Sequence, residues 1–173
     1  QVRLQLGDEQ GVHPMDAAAR DLAVRTRRIV LVDLHAGPST VAPHLGLMVP
    51  LFDSSAPTRP HVATLLLQTD ARRFLYPLVR TWPLPSASAE TLLVRREGDT
   101  ILGLNDLRHE PGTALRKRAS LRMAYHPAVQ AVLGREGLVR GVDYRGVAVL
   151  AFLAKIPDSP WFMVAKVDEA EVF

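Results

Sequence analysis

The sequence contains no cysteine, few aromatic residues and no long apolar run. The missing cysteine excludes a disulfide scaffold, an iron–sulfur protein and a cysteine-ligated zinc site, and it suits an oxidising compartment. The longest apolar run, residues 147–154, is far shorter than the ~20 residues that a membrane-spanning helix needs. The chain also opens at Gln1 without a signal-peptide pattern, so we expect it to be part of a longer protein.

The composition is that of a folded domain without a strongly basic surface. The chain has 173 residues, 47% of them hydrophobic, and a formal net charge of +3. That apolar fraction argues against disorder and is large enough for a hydrophobic core that needs no disulfide bond or structural metal ion. Basic residues are spread over both halves, and the densest group, residues 116–118 with Arg122, is expected to be a solvated loop. We therefore predict no nucleic-acid partner.

Alternating apolar residues and turn residues predict a chain rich in strands. Strands are predicted at residues 2–6, 29–34, 44–52, 61–69, 90–96, 100–105, 138–144, 147–156 and 161–167. Helices are predicted from Pro14 to near Arg27, at residues 71–82 with Asp70 as N-cap and a kink at Pro77, at residues 127–133, and after Asp168 as N-cap.

The order of elements repeats along the chain. Each copy reads helix, strand, tight turn, strand, Pro/Ser turn, strand and Asp-led helix. Residues 32–37 correspond to residues 142–146, and Asp70 corresponds to Asp168. Two copies of one unit are indicated, the second with five strands and the first lacking elements before Gln1. Each unit is then α+β, with an antiparallel sheet of about five strands flanked by helices.

Two long segments carry a resemblance to a known family. The closing segment GVDYRGVAVLAFLAKIPDSPWFMVAKVD (141–168) and the segments at 44–83 and 90–109 resemble the tandem Cache, PAS-like sensor domains of bacterial membrane receptors. The resemblance implies a membrane-distal unit at residues 1–70 that is N-terminally truncated, a connecting helix at 71–83 and a membrane-proximal unit at 84–173. Arg80-Thr81-Trp82 imitates an Arg-x-Trp motif of the amino-acid-binding subset, but it is predicted in the connecting helix.

The resemblance also implies a function and a location. Such domains lie outside the cytoplasmic membrane between two membrane helices, in sensor histidine kinases, diguanylate cyclases or chemotaxis receptors. This implies a non-enzymatic module that binds a small molecule, needs no cofactor and belongs to a dimeric parent receptor. Contact with the membrane would then run only through flanking segments.

A PAS-like cup binds its ligand through polar groups aimed at an apolar concavity. The candidate ligand-binding residues are Arg72, Arg73 and Tyr76 before residue 84, and Asn105, Arg108, His109 and Tyr144 after it. Arginine guanidinium groups suit a carboxylate or phosphate. The DYRG segment at 143–146 is predicted to be simple turn chemistry, and Trp161 is predicted to be core or interface packing.

Other classes of function leave weaker signals in the sequence. No catalytic motif is present, so no catalytic residue is predicted. Asp33, His35 and His44 form the basis of an alternative, a small periplasmic metal-binding protein or enzyme. We expect instead a turn-capping Asp33 beside a surface His35, and no metal. A cytoplasmic PAS- or GAF-like module that binds a cofactor is the remaining alternative.

Overall fold

The computed structural model describes residues 14–36 and 43–173, and the chain divides into two units after Phe74. The predicted strand at residues 2–6 and residue 37, the end of the segment predicted to hold the first tight turn, lie outside the described residues. Among the described residues, every helix is too short or too polar to cross a lipid bilayer.

The described part of the first unit is one helix on a three-stranded antiparallel sheet. Its elements are α1 (Pro14–Thr26), β1 (Val30–His35), β2 (His44–Phe52) and β3 (His61–Asp70), in the sheet order β1-β2-β3. Ala19 and Ala23 are one helical turn apart and pack with Val32 and Met48 of the sheet. Small alanines on this face let α1 lie close to the strands.

The second unit is built on a six-stranded antiparallel sheet. Its elements are α2 (Leu75–Arg80), β4 (Glu90–Glu97), β5 (Thr100–Gly103), β6 (Arg118–Ser120), α3 (Pro127–Val132), β7 (Gly137–Val142), β8 (Ala148–Lys155), β9 (Trp161–Asp168) and α4 (Glu169–Val172). The sheet order is β6-β5-β4-β9-β8-β7. Buried side chains of α3, among them Val129, pack on Leu92, Leu153 and Val164 of the sheet.

The predicted repeat is present in the described elements. A helix followed by three antiparallel strands occurs as α1-β1-β2-β3 and again as α3-β7-β8-β9. Asp70 and Asp168 are the last residues of β3 and β9. The predicted α+β class with antiparallel sheets is therefore confirmed.

Two local predictions were wrong, and a third holds only in part. The helix predicted at 71–82 spans only Leu75–Arg80, because the Asp70 carboxylate accepts the Arg72 N–H at 2.9 Å and forms a turn instead of a helix start. Pro77 thus lies in the first turn of α2, where proline is tolerated, and gives no reason for a kink.

The second correction concerns the basic segment. Arg118 lies in the short edge strand β6, where it contacts the Glu97 carboxylate at 2.6 Å, rather than in a solvated loop. The prediction of Asp168 as the N-cap of α4 is confirmed, but its side chain makes no capping bond, because its carboxylate contacts Arg145.

Candidate functional site

A buried lysine lies at the centre of the second unit. Lys166 is 2% exposed, and its ammonium group lies 2.7 Å from Asp143 Oδ2 and 2.9 Å from Glu90 Oε2. Strand pairing explains the second contact, since Glu90 on β4 is the cross-strand partner of Lys166 on β9. Both carboxylates are themselves buried, so all three charges depend on one another.

Arg145 extends these ion pairs to the start of α4. Its guanidinium donates to Asp143 Oδ2 at 2.8 Å and also contacts the carboxylate of Asp168. Burial alone raises the pKa of Asp143, but hydrogen bonds from Lys166 and Arg145 outweigh it and hold that pKa below 3.8. We call these five residues the Lys166 network: Glu90, Asp143, Arg145, Lys166 and Asp168.

Tyr144 adds an aromatic ring and a hydroxyl donor to the Lys166 network. Its hydroxyl donates to Glu90 Oε2 at 3.0 Å, and its ring centroid lies 5.0 Å from the Lys166 ammonium. Burial and the negative charge of Glu90 raise the pKa of Tyr144 well above 10. The phenol therefore stays protonated and remains a hydrogen-bond donor at any physiological pH.

Two cavities border residues of the Lys166 network. The first, here called the Trp82 cavity, has a volume of about 340 Å³ and is lined by Val79, Arg80, Trp82, Ala89, Glu90, Thr91, Asn105, Asp106, Leu107, Arg108 and Pro111. The second, the Tyr125 cavity, has a volume of about 440 Å³ and is lined by Arg122, Met123, Ala124, Tyr125, His126, Val142, Asp143, Tyr144 and Gly146. Glu90 borders the first and Asp143 the second, with Lys166 between them.

The Trp82 cavity combines charges of both signs with an indole ring. Arg80, at the end of α2, lies 3.7 Å from Asp106, whose other oxygen accepts the Ala114 N–H at 3.0 Å. The Arg108 guanidinium donates to the carbonyls of Ala89 and Ser86, which holds its side chain at the edge of the cavity. Cavities of this size and mixed character are typical of small-molecule sites.

The Tyr125 cavity is bordered by a buried histidine. His126 is the N-cap of α3, and its Nδ1 accepts the Ala128 N–H at 3.2 Å. Burial lowers the pKa of His126 below 6.5, and the nearby Asp143 carboxylate opposes that shift only in part. The imidazole is therefore neutral at pH 7.

A second carboxylate fastens α4 to the segment before β4. The Glu171 carboxylate accepts hydrogen bonds from the Ser86 hydroxyl at 2.7 Å, the Ser88 hydroxyl, and the backbone N–H groups of Ala87 and Ser88. The serine hydroxyl bonds are the main reason that the pKa of Glu171 falls to about 2. Asp168 and Glu171 thus hold α4 at two separate points.

The structure brings some of the predicted ligand-binding residues together and leaves others apart. Arg72 and Arg73 are exposed in the turn after β3, in the first unit. The Tyr76 hydroxyl donates to the Leu104 carbonyl at 2.8 Å, and the Asn105 side chain accepts the Leu93 N–H. Asn105 and Arg108 border the Trp82 cavity, Tyr144 borders the Tyr125 cavity, and the backbone N–H of His109 contacts the Tyr144 hydroxyl at 3.4 Å.

Sequence reasoning missed Glu90 and Lys166. One signal was available, because Lys166 falls on the same face of its strand as the buried Val164. A lysine at an inward position of an apolar strand requires a buried acidic partner. The DYRG segment was predicted only to shape a turn. The Asp143 carboxylate does accept the Arg145 N–H in that turn, but it also forms an ion pair with Lys166.

The histidines of the first unit also differ from expectation. His35 was predicted to lie at the surface, but it is buried, as are His44 and Asp16. Asp33 was predicted to cap a turn, but it lies within β1, where its carboxylate accepts the N–H of the next residue, Leu34, at 2.6 Å.

Comparison with known proteins gives likenesses to solved structures only. The ligand-binding domain of Mlp24 with asparagine is 17% identical, with a TM-score of 0.59 over 95% of this chain and 61% of that one. The ligand-binding domain of the Pseudomonas aeruginosa PAO1 amino acid chemoreceptor PctC, in complex with GABA, is 16% identical, with a TM-score of 0.60 over 95% and 66%. The extracellular domain of mmHK1S-Z3, a candidate histidine kinase, is 13% identical, with a TM-score of 0.63 over 93% and 57%.

No protein-family model matches the chain, and no curated protein matches it by sequence. The chain spans about three fifths of the length of the first of these structures. At these identities the likeness concerns the fold. The resemblance to tandem Cache sensors is thereby confirmed at that level: the chain has the fold of the ligand-binding domains of chemoreceptors and the extracellular domains of histidine kinases.

Proposed function

We propose that the chain is the extracytoplasmic, small-molecule-sensing module of a bacterial signal-transduction receptor. The observation that supports this is a fold likeness to receptor sensor domains that extends over more than nine tenths of the chain. We favour a sensor histidine kinase as the parent, with a chemotaxis receptor or diguanylate cyclase as the alternatives. The module itself binds rather than catalyses, and it lies in the periplasm.

The two units take different places in this proposal. Residues 1–70 form the membrane-distal unit and residues 84–173 form the membrane-proximal unit. Residues 71–83 connect the two units. The helix that begins at Glu169 then leads toward the membrane. In the parent receptor two such modules pair as a homodimer.

The Trp82 cavity is the ligand site in this proposal. It is the place where the guanidinium of Arg80, the carboxylate of Asp106 and an indole ring face one small volume. Arg80 suits a ligand carboxylate and Asp106 suits a ligand ammonium group, so the site favours a small zwitterion. Two of the similar structures hold asparagine and GABA, which are of that class. Asn105 and Arg108, predicted from the sequence, line the same site.

A ligand in this cavity can act on α4 through a short chain of ion pairs. Glu90 borders the cavity and pairs with Lys166, which lies two residues before Asp168 on β9. A ligand ammonium group near Glu90 competes with Lys166 for that carboxylate and so favours a different packing at the start of α4. Only such a difference in affinity between two packings can drive a signal.

The test is a thermal-unfolding screen of the purified chain with GABA and L-asparagine. A bound ligand stabilises by about 2.7 kcal/mol at 100 times its Kd, so we expect a concentration-dependent rise in Tm. Arg80→Ala and Asp106→Asn should each raise the ligand concentration needed for the same rise in Tm at least tenfold. The amide introduced by Asp106→Asn would keep an oxygen that can accept the Ala114 N–H, so the loop should stay intact.

Arg135→Ala is the matched control, because Arg135 is exposed and its guanidinium bonds Gln130 at 2.8 Å, outside the residues that line the cavity. We expect its ligand response to equal that of the unchanged protein. A response that survives both Arg80→Ala and Asp106→Asn would remove the Trp82 cavity as the site. The absence of a response to both GABA and L-asparagine would contradict the zwitterion class.

A further inference from the structure

We propose that Asp16, His35 and His44 form a binding site for a divalent transition-metal ion of the zinc type in the first unit. None of these residues lines the Trp82 cavity, and the site does not depend on the function proposed above. All three side chains are buried, and one ligand atom of each lies within 4.8 Å of the others.

Strand pairing accounts for the two histidines. His35 is the last residue of β1 and His44 is the first residue of β2, and the two are cross-strand partners. Directly opposed residues of an antiparallel pair project from the same face. Their imidazole rings meet edge to face with centroids 4.2 Å apart.

The carboxylate comes from the helix that covers this face. Asp16 lies in the first turn of α1, and α1 packs on β1 and β2 through Ala19 and Ala23. Asp16 Oδ1 lies 3.9 Å from His35 Nε2. Donor atoms around tetrahedral zinc are roughly 3.4 Å apart, given bonds of about 2.0–2.1 Å, so closing the site requires only small side-chain movements.

A backbone contact orients His35 for this role. His35 Nδ1 lies 2.8 Å from the Asp33 carbonyl oxygen, which can only accept a hydrogen bond. Nδ1 therefore carries a proton, and in the neutral imidazole the lone pair is on Nε2, the ring nitrogen that lies 3.9 Å from Asp16 Oδ1. A carbonyl or carboxylate behind the distal nitrogen is the usual way in which proteins fix a metal-binding histidine.

The donor set indicates the class of ion. Two imidazoles and one carboxylate suit zinc and related transition ions, whereas magnesium and calcium prefer oxygen ligands. Three protein ligands leave a fourth position for water or an external donor atom. The ion would join the first turn of α1 to the last residue of β1 and the first residue of β2.

The experiment uses the tag-free 173-residue chain, stripped with chelator and titrated with ZnCl₂ by calorimetry. We expect one zinc ion per chain and a rise in Tm that MgCl₂ does not give. His35→Gln, His44→Gln and Asp16→Asn should each weaken zinc binding by at least about 100-fold, since even the loss of an outer partner costs 10–100-fold. His61→Gln is the matched control, because His61 is an exposed histidine of the same unit that contacts Thr64.

A second measurement, made on the unchanged protein, tests the site even if one of the variants fails to fold. In the unchanged protein, long-range ¹H–¹⁵N spectra should show the ring nitrogens of two histidines shifting on addition of zinc, while the others stay in place. Sub-stoichiometric zinc, equal binding by the His35→Gln and His61→Gln variants, or shifts spread over all histidines would each overturn the proposal.

Discussion

Lys166 carries a positive charge into a region where its side chain is 2% exposed, between Glu90 and Asp143. Moving three charged groups out of water is costly, and the cost is met only while each charge keeps its partner. The stability of the second unit is therefore most sensitive to changes that remove one partner and leave the others in place.

Lys166→Met should lower the free energy of unfolding by about 3–5 kcal/mol, because it leaves two buried carboxylates without their shared cation. Urea unfolding followed by circular dichroism measures the change. Lys155→Met is the matched control, since Lys155 is an exposed residue on the neighbouring strand β8, and its replacement should stay within about 0.5 kcal/mol. Equal effects of the two variants would show that the buried ion pairs do not carry this stability.

His126 makes the second unit sensitive to mild acid. Burial lowers its folded-state pKa below the ordinary 6.5, while the charges of Asp143, Lys166 and Lys117 act on it in opposite directions. Above pH 7 the imidazole is neutral in both folded and unfolded states. Below pH 6.5 the unfolded chain takes up the proton first, so stability falls until the pH passes the folded-state pKa.

We therefore expect the free energy of unfolding to fall between pH 7.5 and pH 5.5, and to fall less in His126→Asn. Asparagine is a good N-cap, so α3 keeps its start. His109→Asn, at an exposed histidine of the same unit, should follow the unchanged protein. A pH dependence that is identical in all three proteins would contradict the assignment to His126.

Strand β7 depends on a glycine where another segment crosses it. A Cβ at Gly141 would lie 2.5 Å from the Tyr125 carbonyl oxygen and 2.9 Å from Pro127 Cγ. The same crossing is held by a hydrogen bond from the Val142 N–H to the Tyr125 carbonyl at 3.1 Å. The wall of the Tyr125 cavity thus requires a residue without a side chain at this point of β7.

Gly141→Ala should lower the free energy of unfolding by about 1–3 kcal/mol, because backbone and a proline ring must shift to admit the methyl group. Gly103→Ala is the matched control on β5, where the new Cβ would meet its nearest neighbour, the Lys117 carbonyl, at 3.7 Å. That change should be neutral or slightly stabilising, since alanine is less flexible than glycine when unfolded. Chemical denaturation of both variants measures the difference.

The elements differ in how far the sequence alone could predict them. Strands such as β2 and the β4–β5 hairpin follow from local alternation and turn residues, and their positions were predicted within one or two residues. The edge strand β6 has three residues and exists through its pairing with β5, which no local pattern reports. The short α2 reflects one side-chain bond, from the Arg72 N–H to Asp70.

The candidate sites were harder to predict for the same physical reason. Glu90 and Lys166 are far apart in sequence and meet because β4 pairs with β9 in one particular register. Asp16 meets His35 and His44 because α1 packs on one face of β1 and β2. Sequence reasoning identified both histidines but chose Asp33 as their acidic neighbour, since nearness along the chain was the only guide to nearness in space.

For the molecule as a whole, the division after Phe74 has a consequence for fragments. The second unit has its own core cluster, its own six-stranded sheet and the complete Lys166 network. A domain with a separate core can in principle fold alone. The proposed zinc site, by contrast, lies entirely among residues of the first unit.

A fragment of residues 75–173 should therefore unfold in one cooperative transition, keep its thermal response to a zwitterionic ligand and bind no zinc. Differential scanning calorimetry of the fragment and the full chain compares the transitions. A fragment that folds but loses the ligand response would place the ligand site outside the second unit. A fragment that binds zinc as the full chain does would contradict the proposed metal site.

Two carboxylates, of Asp168 at the N-cap of α4 and of Glu171 within it, restrict how this helix can move. Asp168 is held by Arg145, and Glu171, one turn later, is held by the hydroxyl and amide groups of residues 86–88. A third contact joins α4 to β7, because the Arg140 guanidinium lies 3.5 Å from the carboxylate of Glu169. The helix can therefore change position only if contacts to β7, to Arg145 or to residues 86–88 change with it, which makes α4 a readout of three separate parts of the second unit.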